Sequence, residues 1–402
     1  MKKCIFFLFL LLAVVPEIAS QTPMPEILVR ANGTRITTAE EWFGTRRREF
    51  QEFFEAHVYG RSPRTWDQIA YWTFDEDPQA LGGLATRRQI RIWWNGMASG
   101  PYADVLVYLP NRAEGKVPVI VGLNFDGNHA VTDDPAVRIP DDVMQRSKDK
   151  MIRRGYHAGQ WPVEELLRRG YGLVTASRHE VSSDWRIEYM KGVREVYPEF
   201  AEGNENWGTV AAWAWGMSRI TDIVLEDERI DPERLTAIGF SRLGKAALWA
   251  GANDERFSAT VSLMSGAGGA NMLRRNQGEK IANMTGVVGY WFCRNFAKYA
   301  GMDADLPFDF YQMMATIAPR ALYVASASED EWADPEGEYL GTLRTLPVYA
   351  LLGYPAALPE AFPAPDTPLG AGGRVGYHCR TGKHDVTLQD WEYILDFLDK
   401  LK

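Results

Sequence analysis

The chain predicts an α/β fold: a three-layer sandwich with a mostly parallel central sheet, helices on both faces and inserted loops along one edge. Three observations carry this. Early strand-like runs alternate polar and apolar residues, as in Ile90, Ile92 and Trp94, which marks an antiparallel start. After Gly115 the runs become continuously apolar and alternate with helical patterns, as strands buried on both faces do. Finally, Leu235 to Ala252 (LTAIGFSRLGKAALWAGA) passes from an apolar run through a tight turn into an Ala-rich helix, with Ser241 at the apex.

Met1 to Ser20 reads as a secretory signal: Lys2 and Lys3, an apolar run from Cys4 to Val15, then Ile18-Ala19-Ser20 before Gln21. The run is shorter than the ~20 residues a membrane span needs. Removing Lys2, Lys3 and Glu17 takes the formal charge from -9 to -10, since two positive charges and one negative leave. An acidic, exported chain in the periplasm or outside the cell is expected, and nucleic acid is excluded as a partner. No repeat or Ser/Pro-rich linker divides the rest, so residues 21–402 read as one domain, expected to be monomeric. Cys293 and Cys379 are the mature cysteines, and sequence leaves open whether they pair. No metal-site spacing occurs and no cofactor is expected.

From Gln21 to Gly60 the pattern is helical, with a capping-box start at Thr38-Ala39-Glu40-Glu41. Strands are predicted at Ala70 to Phe74, Arg88 to Trp94, Asp104 to Leu109, Val117 to Leu123 and Tyr171 to Ala176. Later ones are predicted at Leu235 to Phe240, Ala259 to Met264, Ala321 to Ala327 and Val375 to Arg380. Helices fall at Trp161 to Arg169, Gly208 to Leu225, after Ser241, and at Leu388 to Leu401; Tyr354 to Gly373 is a long surface loop.

A serine between strand and helix is either a nucleophile on an elbow or an ordinary helix cap. Gly239 lets the backbone pass under the serine, and Gly244 gives the helix room against its strand. The strict G-x-S-x-G form has its second glycine one place earlier, where this chain has Leu243. In an α/β-hydrolase the order is serine, acid, histidine. Of six histidines, His378 and His384 alone follow the last plausible acid. His378 sits inside an apolar strand, which suits packing or a structural hydrogen bond. His384 lies in the loop between the last strand and the last helix, where a base reaches the sheet's C-terminal edge. The acid is expected after a late strand: Asp330 is the choice, and Asp334 before its proline is the alternative.

With these residues placed, the chain resembles the glucuronoyl esterases, carbohydrate esterase family 15, in their bacterial branch. The resemblance rests on GLNFDGNHAVTDDP (122–135), WPVEELLRRGYGLVTA (161–176), WGTVAAWAWGMSR (207–219) and GFSRLGKAALWAGANDERF (239–257). It continues through SGAGGANMLRRNQGE (265–279), WFCRNF (291–296), EDEWADPEGE (329–338) and GKHDVTLQDW (382–391). It implies a serine esterase cleaving the ester between (4-O-methyl-)glucuronic acid of glucuronoxylan and lignin alcohols, so that the partner is a uronic acid ester of plant cell-wall polysaccharide. Carried over by position, Ser241 is the nucleophile, His384 the base, Asp330 the acid and Arg242 an oxyanion donor. Lys245 and Glu279 would contact the sugar hydroxyls and Trp332 the sugar ring. Local readings also exist: Arg242 as a structural salt bridge, Lys245 and Glu279 as paired charges.

The chain departs from the family in places. Many members carry their acid directly before the Ser-Gly-Ala-Gly-Gly segment, where this chain has Met264. The fungal disulfide beside serine and histidine is replaced by Phe240 and Asp385, and Ser177 to Trp185 differs from the usual acidic loop. Two alternatives follow: another carbohydrate esterase of the acetyl xylan type, or a catalytically impaired carbohydrate-binding homologue.

Overall fold

The computed structural model describes residues 23–66, 68–140 and 153–401. The expected secretory signal lies outside them. Nine strands form one sheet in the order β1-β2-β3-β5-β4-β6-β7-β8-β9. They are β1 (Ala70–Gln79), β2 (Ala85–Trp93), β3 (Tyr102–Pro110), β4 (Val117–Asn124) and β5 (Gly172–Ser177). The others are β6 (Ile230–Phe240), β7 (Phe257–Leu263), β8 (Ala321–Ala327) and β9 (Val375–Arg380). The first three pair antiparallel, β3 joins β5 antiparallel, and every contact from β5 through β9 is parallel. This is the α/β-hydrolase plan expected from the chain.

Strand alternation splits the interior into two cores. On one face Val119, Val121, Leu235, Ala237 and Val324 pack under the N-terminal helices and the long helices. On the other, Ile120, Ile238, Val261 and Tyr323 meet Leu166 and Leu167 of α1 (Val163–Arg168) and Trp391 and Ile394 of the last helix. The remaining helices that position the site are α2 (Arg178–Val181), α3 (Thr209–Val224), α4 (Arg242–Asn253), α5 (Pro335–Leu343) and α6 (Leu388–Leu398). Among the described residues no helix is long and apolar enough to cross a membrane.

The helical start was expected from Gln21, but helix begins only at Ala39 and runs to Tyr59, with π-type segments at Trp42–Arg46 and Glu55–Tyr59. Before it the chain turns through Gly33, at φ +83°, so that Val29 bridges Arg35. The capping box forms: the Glu41 N–H donates to Thr38 Oγ1 at 3.2 Å, and Glu41 Oε2 accepts from the Thr38 N–H at 3.3 Å. Cys293 and Cys379 are both buried and unpaired.

Candidate active site

Because β4 to β9 run parallel, their C-terminal ends meet along one edge. Residues just past those ends are therefore neighbours, whatever their separation in sequence. Phe125 and Asp126 follow β4, Arg178 follows β5, Ser241 follows β6, Met264 follows β7, Asp330 follows β8 and His384 follows β9.

Ser241 sits at φ 57°, ψ -128°, a conformation that costs energy for any residue with a side chain. Its N–H donates to the Leu263 carbonyl at 2.8 Å, and its own carbonyl accepts from the Gly244 N–H at 2.9 Å. A Cβ on Gly239 would stand 2.0 Å from the Leu243 carbonyl oxygen, so only glycine fits there. A Cβ on Gly244 would meet Gly239 O, Ser262 Oγ and the Ser265 side chain, each at 3.0 Å. The displaced glycine therefore faces the elbow from the first turn of α4, while Leu243 is buried in the core.

His384 Nδ1 lies 2.5 Å from Asp330 Oδ2. With that hydrogen bond made from Nδ1–H, Nε2 carries the imidazole lone pair. The ring packs over Phe240, the residue before the serine, at 4.6 Å between centroids. The Asp330 side chain is only 5% exposed and the His384 side chain 42%, so the imidazole borders the cleft and the carboxylate lies behind it. Asp334 is used elsewhere. It caps α5, its Oδ1 accepting from the Gly337 N–H at 3.1 Å, and its Oδ2 pairs with Arg275 Nε at 3.0 Å. His378 is fully buried, bonded at 2.9 Å to both Asp390 and Tyr323, and burial lowers its pKa. That is the structural hydrogen bonding its strand position suggested.

Arg242 Nη1 donates to Asp184 Oδ2 at 2.8 Å, and its guanidinium lies 4.6 Å from the centre of the Trp291 ring. It thus makes the salt bridge that was one of its two readings, with a side chain still 34% exposed. Lys245 is buried on α4 and donates to the carbonyls of Ser265, at 2.5 Å, and Ala267, at 2.6 Å, while Glu279 Oε2 is 3.9 Å away. Burial pulls the Lys245 pKa down. Its ammonium therefore braces the loop after β7 and retains one N–H beyond those two carbonyls. Trp332 is 58% exposed, and its carbonyl accepts from the Glu279 N–H at 2.9 Å, which joins these two sequence-derived residues through the backbone.

Met264 is buried at φ 45° and offers no carboxylate to the site. Behind the same loop stands a group that sequence reasoning did not single out. Glu338 of α5 is fully buried, with Oε1 accepting from the Gly266 N–H at 2.8 Å and Oε2 from the Ser326 hydroxyl at 2.6 Å. Burial raises its pKa to about 7 against the lowering effect of those two bonds. Asp184 and Arg178 were missed as individuals, although the stretch that holds them was noted as unusual. Asp126, bonded to His157 at 2.6 Å, also lies beyond β4 on this edge. Among the described residues no cluster of three or more His, Cys, Asp or Glu is arranged to hold a metal ion.

The chain has relatives of similar sequence and fold along nearly its whole length. Carbohydrate esterase MZ0003, from an unknown prokaryotic organism, is 36% identical over 387 residues, covering 94% of this chain and 89% of that protein. The chain belongs to the glucuronoyl esterases of carbohydrate esterase family 15. A glucuronoyl esterase from Solibacter usitatus superposes with a TM-score of 0.88 at 39% identity, covering 95% of this chain and 99% of that one. A promiscuous family 15 esterase from a marine bacterial metagenome gives 0.86 at 36% identity, covering 95% and 98%. The family model for fungal glucuronyl esterases matches residues 167–353. That span holds the elbow and Asp330 but stops short of His384. The 4-O-methyl-glucuronoyl methylesterase of Hypocrea jecorina is 37% identical over 191 residues, covering 45% of this glucuronoyl esterase and 40% of that protein.

Proposed function

We propose that this glucuronoyl esterase cleaves the ester between (4-O-methyl-)glucuronic acid on glucuronoxylan and a lignin alcohol, with Ser241 as nucleophile. The observation that carries the assignment is the 2.5 Å contact between His384 and Asp330, with the imidazole packed at a tilt against the residue that precedes the elbow serine. His384 Nε2 takes the serine proton as Oγ attacks the uronate carbonyl carbon. Asp330 holds the tautomer and balances the imidazolium charge. Arg242 supplies positive charge to the developing oxyanion, a fixed donor of the kind that stabilises a transition state most. The imidazolium returns its proton to the departing alcohol, and water attacks the glucuronoyl-serine by the same route in reverse.

Glu279, the remaining N–H of Lys245 and the exposed face of Trp332 are the sugar-binding groups in this reading. Export under the N-terminal signal suits a cell-wall substrate. The test is alcohol release from benzyl glucuronate, with acetylated xylan as the competing substrate. Ser241→Ala is expected to abolish benzyl alcohol release, whereas turnover that survives the substitution removes Ser241 from the mechanism. Faster cleavage of acetyl groups than of the uronate ester would transfer the enzyme to the acetyl esterase reading.

A further inference from the structure

Asp184 is a carboxylate with a side chain only 1% exposed, and two guanidinium groups meet on its Oδ2. Arg242 Nη1 approaches at 2.8 Å and Arg178 Nε at 3.1 Å. Its Oδ1 accepts from the Trp291 indole N–H at 2.7 Å and lies 3.3 Å from the Tyr290 hydroxyl. The Tyr290 hydroxyl also donates to the Asp184 carbonyl at 2.7 Å, and the Asp184 N–H donates to His179 Nδ1 at 3.2 Å. The carboxylate is thus fixed from α2, from α4 and from the segment around Trp291. Arg178 is itself confined, with its guanidinium 4.5 Å above the Phe125 ring.

The charges decide what this arrangement can do. One carboxylate paired with one guanidinium is a neutral dipole, whose field on a reacting carbonyl falls off quickly. One carboxylate shared by two guanidiniums keeps a net positive charge, and in a half-buried site that charge is weakly screened. Asp126 also acts on Arg178, and its hydrogen bond to His157 at 2.6 Å does not cancel its charge; among these carboxylates Asp184 is the one paired with both guanidiniums. Arg178 stays protonated at neutral pH even though burial lowers its pKa to about 10. Arg242 Nε, moreover, is a buried N–H with no protein partner.

We propose that Asp184 and Arg178 are positioning residues for Arg242: Asp184 fixes the guanidinium beside Ser241, and Arg178 offsets the Asp184 charge so that Arg242 acts on the oxyanion as a full cation. This rests on the reading of Arg242 as the oxyanion donor. Arg178 has no part in binding the sugar, so its effect falls on kcat and not on KM.

The test is steady-state kinetics on benzyl glucuronate with Arg178→Gln, Arg178→Lys, Arg242→Gln and the double glutamine variant. Removing a direct donor costs about 10²–10³-fold in kcat, the loss expected for Arg242→Gln. Arg178→Gln keeps a polar side chain of similar reach and loses the charge; about a tenfold drop in kcat is expected with KM within twofold. Arg178→Lys restores the charge and most of the rate. In the Arg242→Gln background Arg178→Gln adds no further loss, because the group it supports is gone. An undiminished second loss, a change confined to KM, or wild-type kcat in Arg178→Gln overturns the proposal. Wild-type kcat in Arg242→Gln instead overturns the oxyanion reading beneath it. Melting temperatures establish that each variant folds, and Arg178→Met replaces the glutamine variant if that one does not.

Discussion

Asp330 and Asp334 stand four positions apart after the same strand, and their surroundings assign them different work. Asp334 has both oxygens engaged by the α5 N-terminus and Arg275, whereas Asp330 points one oxygen at His384. Asp330→Asn keeps the shape but makes the side chain able to donate to Nδ1, which favours the wrong tautomer. A fall of roughly 10⁴-fold in kcat is expected, with little change in KM, as for the equivalent change in a Ser-His-Asp triad. Kinetics on benzyl glucuronate check this, and an Asp330→Asn enzyme at near wild-type rate would leave a serine–histidine dyad as the working unit. Both aspartates were visible in the sequence as candidates. Asp330 was preferred there, and the cap geometry, in which Asp334 takes a left-handed φ of 57° before Pro335, supplies a physical reason that the sequence lacked.

At the level of elements, α5 is tied to the loop after β7 by the Glu338 carboxylate. An acid whose folded pKa is raised binds more protons in the native than in the unfolded state between the two values. Its contribution to stability therefore falls as pH rises from about 4.5 to about 7. The size is on the order of 3 kcal/mol at most. Glu338→Gln can still accept from Gly266 and engage Ser326, but it does not titrate. Thermal melts across this pH range should show the wild type losing stability relative to Glu338→Gln as pH rises; a constant difference would mean that Glu338 is charged throughout or protonated throughout. Taking the difference cancels Asp309, which burial raises to about 6, and His378, whose lowered pKa acts with the opposite sign.

The same elements mark what could be read from the chain. β8 and β9 match their predicted limits to the residue, because continuous apolar runs end abruptly in polar loops. β1 was cut short at Phe74, since Asp75 to Gln79 lack apolar alternation. Those residues stay in the sheet because Asp75 pairs with Arg87 at 2.8 Å across to β2. β6 begins at Ile230 instead of Leu235 because a register irregularity between Val117 and Val119 lets Ile230 pair with Val117. Asp184 and Glu338 were illegible for another reason: their partners Arg242 and Gly266 lie 58 and 72 residues away, and nothing local distinguishes them from surface carboxylates. The elbow, by contrast, is written in six adjacent residues, Gly239 to Gly244.

Over the whole molecule, the sheet makes one mechanical unit out of elements distant in sequence. β1 and β9 lie at its two edges, and the central contacts are between β4, β5 and β6, so the first and second halves of the chain meet in the middle. The two cores lie on opposite faces of these same strands, with Val119 in one and Ile120 in the other. Neither core can be exposed while the other stays packed, because both depend on the same backbone ladder. We therefore expect residues 21–402 to unfold as one domain. Tryptophan fluorescence and far-ultraviolet circular dichroism should give coincident midpoints in urea. The two probes sample different regions: many tryptophans, Trp42, Trp207, Trp213 and Trp215 among them, belong to the face of α3 and the N-terminal helices, while the backbone signal averages over both layers. A fluorescence transition that precedes the circular dichroism change would mean that this face melts alone and that the chain contains two cooperative units. Coincidence would bind the proposed reaction centre to global stability, since Ser241, Asp330 and His384 are held by loops of three strands in that one sheet.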